Sequence, residues 1–576
     1  MASSDVFAEA RAWAAADPDP ATRDELNALL AQGEPMREAL EDRFRPLTFG
    51  TAGLRGLLGA GPGRMNRLVV QRTTVAVAKE LAEPERGVVI AFDGRRGSDA
   101  FAEDAVAVLT ALGVPVHLFT RPTPTPVLAF AVKHLRTAAG IVITASHNPP
   151  EYNGYKLYAG DGAQIVPPMD EAIEARLRAM PLREILPWRA LPDALAAGVL
   201  RYVGAEEEDA YFEAIARLRV GSGELSPVAI AYTAMHGVGD RFARRALAEA
   251  GFANVVSVPE QREPDPAFPT VRFPNPEEPG ALDLVTQVAA RMNADLALAN
   301  DPDADRLAAV IPTRDAGYRA LTGNELGLLL AAHRMAARPA DSAPKRAVVS
   351  SVVSSPSMGR LAELEGVRHE ETLTGFKWIA RRAMELEAEG YEVLLGYEEA
   401  LGYSVGTVVR DKDGISAAVH VAELAARCKA AGRTLEDELE RLARQVGLYA
   451  SRQVTLTRPG AAGAREIEDA MTGLRGALPG RLAGLEVVAV ADYARGLRWR
   501  AEGGDPERLA LPAQNMLAFA LEGGSRVMVR PSGTEPKLKV YIDVTVPVAE
   551  SLDAAREEAN VLGARLAAEM LALLGG

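Results

Sequence analysis

Short apolar runs recur along the chain, and most of them run into polar loops or into stretches of helical periodicity. Gly87-Val-Val-Ile-Ala-Phe92 is followed by Asp93-Gly-Arg-Arg-Gly97 and an amphipathic pattern to about residue 112. Val114–Phe119, Gly140–Thr144, Val228–Tyr232, Ala294–Asn300, Ala347–Val353 and Glu392–Gly396 repeat the motif. Strands spaced by helical segments predict βαβ units and largely parallel sheets. The C-terminal part differs. Ser525–Arg530 and Lys537–Val544 alternate with period two, and a helix is expected over 549–573. The expected fold is therefore α/β, with three similar domains of mixed or parallel sheet and a smaller α+β C-terminal domain. At 576 residues, four domains are expected: 1–205, 206–318, 319–445 and 446–576. Joins are expected in the charged or Gly/Pro-bearing stretches 204–208, 313–324 and 445–460.

Composition narrows the function classes. A net charge of −14 argues against a general nucleic-acid or anionic-membrane binder. The single cysteine, Cys428, excludes an internal disulfide and fits a reducing, cytoplasmic location. The first residues lack the basic start and apolar core of a signal peptide, and no apolar run reaches membrane-spanning length. Of 64 basic residues only nine are lysine, and five of those nine lie in chemically suggestive segments: Lys156 and Lys537 in segments quoted below, Lys377 in Leu373-Thr-Gly-Phe-Lys377, Lys412 in Arg410-Asp-Lys-Asp-Gly414 and Lys539 in the alternating run Lys537–Val544. Lysine is a compact charge whose pKa shifts with its surroundings, which arginine is not.

Four segments carry candidate chemistry. In Ile141-Val-Ile-Thr-Ala-Ser-His-Asn-Pro-Pro-Glu-Tyr-Asn-Gly-Tyr-Lys156, a buried strand stops just before Ser146. Open α/β sheets place their chemistry at such carboxyl ends. Pro149 and Pro150 cannot continue a ladder, and Asn153-Gly154 is a turn signal. Ser146 and His147 are expected on a stiff loop, with Lys156 supplying positive charge. An ordinary turn would use the same residues, and no Gly-x-Ser-x-Gly elbow surrounds Ser146.

In Asn300-Asp-Pro-Asp-Ala-Asp-Arg306, three carboxylates recur at every second position after a buried strand, a pattern suited to a hard divalent cation. An EF-hand is excluded, because its sixth position would be Arg306 and its twelfth Pro312. A solvated acidic loop and a phosphatase with an Asp-x-Asp nucleophile are the alternatives. Arg530-Pro-Ser-Gly-Thr-Glu-Pro-Lys537 crowds a guanidinium, the hydroxyls of Ser532 and Thr534 and the Gly533 amide into an anion cradle, or else forms a plain hairpin turn. Gly396-Tyr-Glu-Glu-Ala-Leu-Gly-Tyr403 offers Glu398 and Glu399 to vicinal sugar hydroxyls. The alternative there is an acidic first turn of a helix.

Taken in order, T-A-S-H-N-P, D-P-D-A-D-R, G-Y-E-E-A and R-P-S-G-T-E-P resemble the four signature regions of the α-D-phosphohexomutase superfamily. The resemblance spans about residues 45–545, and Phe49-Gly-Thr-Ala-Gly-Leu-Arg-Gly56 is similar to its N-terminal Arg-Gly segment. Length and the Asp-Lys-Asp-Gly form are most similar to the phosphoglucomutase-2/phosphopentomutase branch. The resemblance implies four domains around a central cleft and an intramolecular phosphotransferase that interconverts glucose 1-phosphate and glucose 6-phosphate. Phosphopentomutase and phosphomannomutase activity are alternatives on the same scaffold. A Mg²⁺-dependent phosphatase and a non-catalytic sugar-phosphate-binding homologue are alternatives of another class.

The implied cofactors are Mg²⁺, a phosphorylated Ser146 and a sugar 1,6-bisphosphate primer. Mg²⁺ would be held by Ser146, Asp301, Asp303 and Asp305. Arg55, His147, Lys156 and Arg306 would surround the transferring group. Thr374, Gly375, Glu398 and Glu399 would hold the sugar. Arg530, Ser532, Gly533 and Thr534 would hold the phosphate that is not reacting. Lys156 and Lys412 are the acid/base candidates, since a desolvated lysine beside metal and phosphate is expected to have a lowered pKa. His147 would otherwise brace the serine loop, and His236 would shape a loop of the second domain. Many relatives have Glu-x-Ser in the sugar loop; here Ala400 follows Glu399, and Tyr403 stands where some carry histidine. The expected partners are hexose, mannose, ribose or deoxyribose phosphates, with no nucleic acid or membrane, in a monomer or weak dimer.

Overall fold

The computed structural model describes residues 5–48, 53–181, 186–220, 226–315, 317–337, 344–458, 460–532, 537–549 and 551–575. It divides into two compact units. One comprises Met1–Leu321 with Ala400–Ala430, the other Thr322–Glu399 with Ala431–Gly576.

The first unit holds two mixed sheets. β1 (Leu54–Leu57), β2 (Val88–Phe92), β3 (Val116–Phe119), β4 (Ala139–Ile143), β5 (Tyr152–Ala159) and β6 (Leu200–Val203) form a sheet of order β1-β5-β4-β2-β3-β6. β4, β2, β3 and β6 run parallel, while β5 is antiparallel to both β4 and β1. Val88, Ile90, Ile141 and Ile143 pack into one apolar core with the helices Arg67–Glu80 and Ser98–Ala111. β7 (Ile230–Thr233), β8 (Val255–Ser257), β9 (Leu296–Asn300), β10 (Leu307–Pro312) and β11 (Tyr318–Ala320) form the second sheet, of order β11-β10-β9-β7-β8. Its parallel part, β9-β7-β8, turns antiparallel at β10 and β11.

The second unit contains β12 (Lys345–Ser351), β13 (Arg368–Thr372) and β14 (Tyr391–Glu398), parallel in the order β13-β12-β14. β15 (Gly402–Val405) falls in the stretch that belongs to the first unit. The remaining strands are β16 (Leu448–Thr457), β17 (Arg481–Leu482), β18 (Leu485–Asp492), β19 (Leu497–Arg500), β20 (Glu507–Arg508), β21 (Leu517–Leu521), β22 (Arg526–Pro531) and β23 (Lys537–Val546). They make an antiparallel sheet of order β16-β23-β22-β21-β18-β19-β20, with β17 paired to β18. One face of this sheet buries Val527, Val529, Leu538 and Val540 in a core with Leu566 and Met570 of the closing helix Leu552–Leu573. Three α/β sheets and a C-terminal α+β sheet are thus present, as the hydrophobic pattern predicts.

Three local expectations differ from the structure. Asn153-Gly154 is not a turn but lies inside β5, where Gly154 pairs with Arg55. A Cβ there would come within 2.6 Å of the Thr144 carbonyl and 2.7 Å of the Leu54 carbonyl, so glycine marks a close backbone approach rather than a bend. The acidic run at 204–208 is the first turn of the helix Ala205–Ala216, where the Glu207 carboxylate accepts from the Gly204 N–H at 2.7 Å. Carboxylates are favoured at that end of a helix. The second sheet continues to Ala320, two residues past the expected join at 318.

Candidate active site

The serine loop leaves β4, whose five residues are all buried. The Thr144 hydroxyl accepts from the Ser146 N–H at 2.8 Å, and Ser146 adopts φ 51°, an uncommon left-handed conformation for a residue with a Cβ. Arg95, four per cent exposed, fixes this geometry. Its guanidinium donates to the carbonyls of Ser146, Asn148 (2.6 Å), Pro149 (2.9 Å) and Tyr152 (3.2 Å), and Asp93 pairs with it at 3.2 Å. Five donors in a rigid fork suit such a multiple clamp. Sequence reasoning missed Arg95. The available signal was its place just beyond β2, which pairs in parallel with β4 and so ends beside the serine loop.

The acidic loop leaves β9 and returns as β10, antiparallel to it. Asp301 accepts from the Ser146 hydroxyl at 3.0 Å on one oxygen and from the Arg306 N–H at 2.9 Å on the other. Asp303 Oδ2 accepts from Thr125 Oγ1 and from Lys156 Nζ, both at 2.7 Å. Asp305 Oδ2 lies 2.9 Å from Lys156 Nζ and 3.2 Å from Lys412 Nζ. All three carboxylates are buried, with one ligand oxygen from each within 4.8 Å of the others. Oδ1 of Asp303 and Oδ1 of Asp305 are buried without a hydrogen-bond partner. Buried oxygens of this kind are costly unless something binds them, and these two, with an Asp301 oxygen beside them, fit a hard cation such as Mg²⁺.

Charge around the triad is uneven. Burial, and then Asp305 and Asp303, hold the Asp301 carboxyl well above the usual carboxylate range. Burial also pushes Asp305 up, but Lys156, Lys412 and Arg306 outweigh it, and the net shift is downward. The expected lowering of the Lys156 pKa is corrected. Burial does pull it down, yet Asp303 and Asp305 more than compensate and hold the ammonium above its ordinary value. Lys156 is therefore a fixed cation beside these carboxylates rather than a ready base.

Arg55, from β1, donates to the Asn148 side chain at 2.9 Å. Nδ1 of His147 lies 3.2 Å from Ser146 Oγ. Burial, then Arg306 and Arg55, keep this imidazole well below its ordinary pKa, hence neutral. Arg306 also pairs with Glu277 at 3.0 Å. His236 bonds to Thr270 at 2.8 Å, and its loop packs on the acidic loop, with the Val238 N–H donating to the Pro302 carbonyl at 2.8 Å. The structure thus brings Ser146, His147, Lys156, Arg55, Asp301, Asp303, Asp305, Arg306 and Lys412 together in the first unit.

The other candidates lie in the second unit. Glu398 ends β14 and accepts from the Gly375 N–H at 2.9 Å, so Glu398-Glu399 follows a strand and does not open a helix. Glu399 Oε2 accepts from the hydroxyls of Ser351 (3.0 Å) and Ser354 (3.3 Å), two residues that sequence reasoning missed. Their signal was the serine-rich stretch at the end of β12 and just beyond it. Thr374 Oγ1 is buried with no hydrogen-bond partner among the described residues. Arg530 lies in β22 opposite Lys539, and the Ser532 N–H donates to the Lys537 carbonyl at 2.8 Å, bringing the two strands together at that end. Gly533 and Thr534, with Phe49–Ala52 of the N-terminal segment, lie outside the described residues.

The chain is similar to known proteins along most of its length. Residues 46–183, 209–314 and 322–446 match, in order, "Phosphoglucomutase/phosphomannomutase, alpha/beta/alpha domain" I, II and III. Residues 482–561 match the C-terminal domain of the same family. The chain is 38% identical over 494 residues to a "Probable phosphomannomutase" of Haemophilus influenzae, covering 83% of this chain and 93% of that protein. It is 36% identical to a mouse "Phosphopentomutase" (94% and 91% covered) and 36% to a Staphylococcus haemolyticus "Phosphoglucomutase" (87% and 90%). A solved phosphoglucomutase/phosphomannomutase family protein from Burkholderia thailandensis shares the fold with TM-score 0.65 at 21% identity, covering 91% of this chain and 96% of its own.

Proposed function

Because the chain belongs to the phosphoglucomutase/phosphomannomutase family, we propose that it interconverts glucose 1-phosphate and glucose 6-phosphate through a phosphoserine at Ser146. Membership makes it a phosphomutase, an isomerase that acts as an intramolecular phosphotransferase. The observation that carries the assignment to Ser146 is its 3.0 Å contact with Asp301, in a buried triad with two unsatisfied oxygens.

In this reading the resting enzyme carries a phosphoryl group on Ser146 Oγ. A hydroxyl of the sugar phosphate attacks that phosphorus. The P–Oγ bond breaks as the new P–O bond forms, and the hydroxyl proton passes to a base near the serine loop. The resulting 1,6-bisphosphate turns round and returns its other phosphate to Ser146, so a catalytic amount of bisphosphate primes the cycle. Mg²⁺ held by Asp301, Asp303, Asp305 and the seryl phosphate would supply neutralisation of the charge on the transferring group. Arg55, Lys156 and Arg306 add fixed positive charge there. Lys412 is the acid/base candidate that remains, and neutral His147 braces the serine. Glu398, Glu399, Thr374 and Gly375 are assigned to the sugar, and Arg530, Ser532, Gly533 and Thr534 to the idle phosphate. We assign the four domains the bounds 1–205, 206–320, 321–445 and 446–576, the second extended to the end of β11, and the enzyme to the cytoplasm. No helix among the described residues is long and apolar enough to cross a membrane.

A pentose phosphate substrate is the second reading. It is favoured by a phosphopentomutase relative that aligns with 94% of the chain. The test has two parts. Incubation with ³²P-labelled glucose 1,6-bisphosphate and Mg²⁺ should label Ser146, and label on Asp301 with release of inorganic phosphate would indicate a phosphatase instead. A kcat/KM comparison across glucose, mannose, ribose and deoxyribose 1-phosphates then decides the sugar, and a pentose value above that for glucose would reverse the assignment.

A further inference from the structure

Strand β5 carries more than Lys156 to the reaction centre. Alternate residues of a strand share a face, so Tyr158 projects on the same side as Lys156. Its hydroxyl donates to Asp411 Oδ2 at 2.6 Å, and Gln164 Nε2 donates to the same oxygen at 2.7 Å. The backbones of Tyr158 and Gln164 bridge one another, which sets the two donors side by side. The other oxygen of Asp411 accepts from the Lys412 N–H at 2.8 Å and lies 3.5 Å from Lys412 Nζ. Beyond it, Lys412 Nζ reaches Asp305 Oδ2 at 3.2 Å, the same oxygen that Lys156 approaches at 2.9 Å.

We propose that Tyr158 and Gln164 are positioning residues for Lys412, acting through the Asp411 carboxylate. Asp411 is one per cent exposed and Tyr158 fully buried. A buried carboxylate is tolerated only when its oxygens are satisfied. Here one oxygen is taken by the phenol and the amide, which turns the other towards Lys412. A lysine ammonium on its flexible stem has no fixed position of its own, so carboxylates on both sides locate it. Burial and then Asp411 hold the Tyr158 phenol well above its ordinary pKa, so it stays a donor. The other flank of Lys412 is anchored too. The Tyr211 hydroxyl lies 2.9 Å and 3.0 Å from the two Asp413 oxygens, and Asp413 also accepts from the Ile415 and Ser416 N–H groups. Tyr158 and Gln164, from one strand and the turn that follows it, thereby hold Lys412 on Asp305 through Asp411, beside Lys156 of the same strand.

The activity readout rests on the mutase reading, so a second readout is independent of it. Tyr158→Phe should lower kcat about tenfold while KM stays within about twofold, the signature of misplaced machinery rather than lost binding. In a Lys412→Met background the same substitution should cost nothing further, because the pair acts as one unit. Competitive acetylation read by mass spectrometry should show Lys412 more reactive, relative to exposed Lys345, in Tyr158→Phe than in the parent. Equal losses in both backgrounds, a change confined to KM, or an unchanged kcat and acetylation ratio would overturn the proposal. If Tyr158→Phe does not fold, Gln164→Leu runs the same cycle. A parent enzyme without mutase turnover on any sugar phosphate would defeat the functional reading, while the acetylation ratio would still decide the positioning.

Discussion

The Ser146 hydroxyl donates to Asp301 at 3.0 Å although the two residues are 155 positions apart in the chain. The contact joins the carboxyl end of a strand in the first sheet to the carboxyl end of a strand in the second, where open α/β sheets bind their ligands. Ser146→Ala should reduce mutase turnover by roughly a thousandfold or more and abolish ³²P labelling, as expected when the covalent carrier is removed. Unfolding temperature should change little, since alanine carries the same Cβ as serine in that left-handed backbone. Retained label would place the carrier elsewhere.

Metal binding should be tighter at higher pH. Asp301 favours its protonated form because burial and the neighbouring Asp305 and Asp303 oppose its charge. A cation needs the charged form, so binding must expel a proton, and affinity rises as protons become scarce. Titration calorimetry of Mg²⁺ in two buffers of different ionisation enthalpy should reveal that release. Mg²⁺ at a hundred times its Kd should stabilise the fold by about 2.7 kcal/mol. A chelator should reverse that gain and stop turnover. A pH-independent affinity would contradict the assignment of Asp301.

Lys156 is the cation that Asp303 and Asp305 share. Lys156→Met leaves buried Asp303 without its lysine and Asp305 with Lys412 alone, and should cost about 3–5 kcal/mol of stability. Mg²⁺ should recover part of that loss, because it supplies positive charge to the same carboxylates. Thermal unfolding with and without Mg²⁺ checks this; a variant as stable as the parent in the presence of chelator would refute it.

The sugar loop should act on binding. Glu398 accepts from the Gly375 N–H, and its carboxylate is assigned to sugar hydroxyls. Glu398→Ala should raise KM about tenfold with kcat within about twofold, the pattern of an interaction made equally in ground and transition states. A large fall in kcat at unchanged KM would instead move Glu398 into the transfer step.

Much of this was legible in local sequence. β4 and β9 are short runs of buried residues, and the polar motifs directly after them supply the serine and the carboxylates. Period two in β22 and β23 marked the C-terminal sheet correctly. What could not be read depends on distant partners. Arg95 is one arginine among 55, and only the pairing of β2 with β4 makes it the clamp of the serine loop. The Lys156 pKa is set by two carboxylates about 150 residues away, so its burial alone pointed in the wrong direction. Gly154 looks like a turn residue until the carbonyls pressing on it are known. Nothing local to Asp411 announces Tyr158 and Gln164 as its donors.

The first compact unit is discontinuous: it breaks at Leu321 and resumes at Ala400–Ala430. A ribosome makes roughly 5–20 residues per second, so the segment bearing Lys412 emerges about 5–20 s after the acidic loop and about 13–53 s after the serine loop. During that interval the Asp411 and Asp413 contacts cannot exist, and Tyr158 and Tyr211 lack their carboxylate acceptors. Assembly of the reaction centre is therefore a late event in synthesis, and a nascent chain released before about residue 430 would carry the nucleophile without the lysine proposed to serve it.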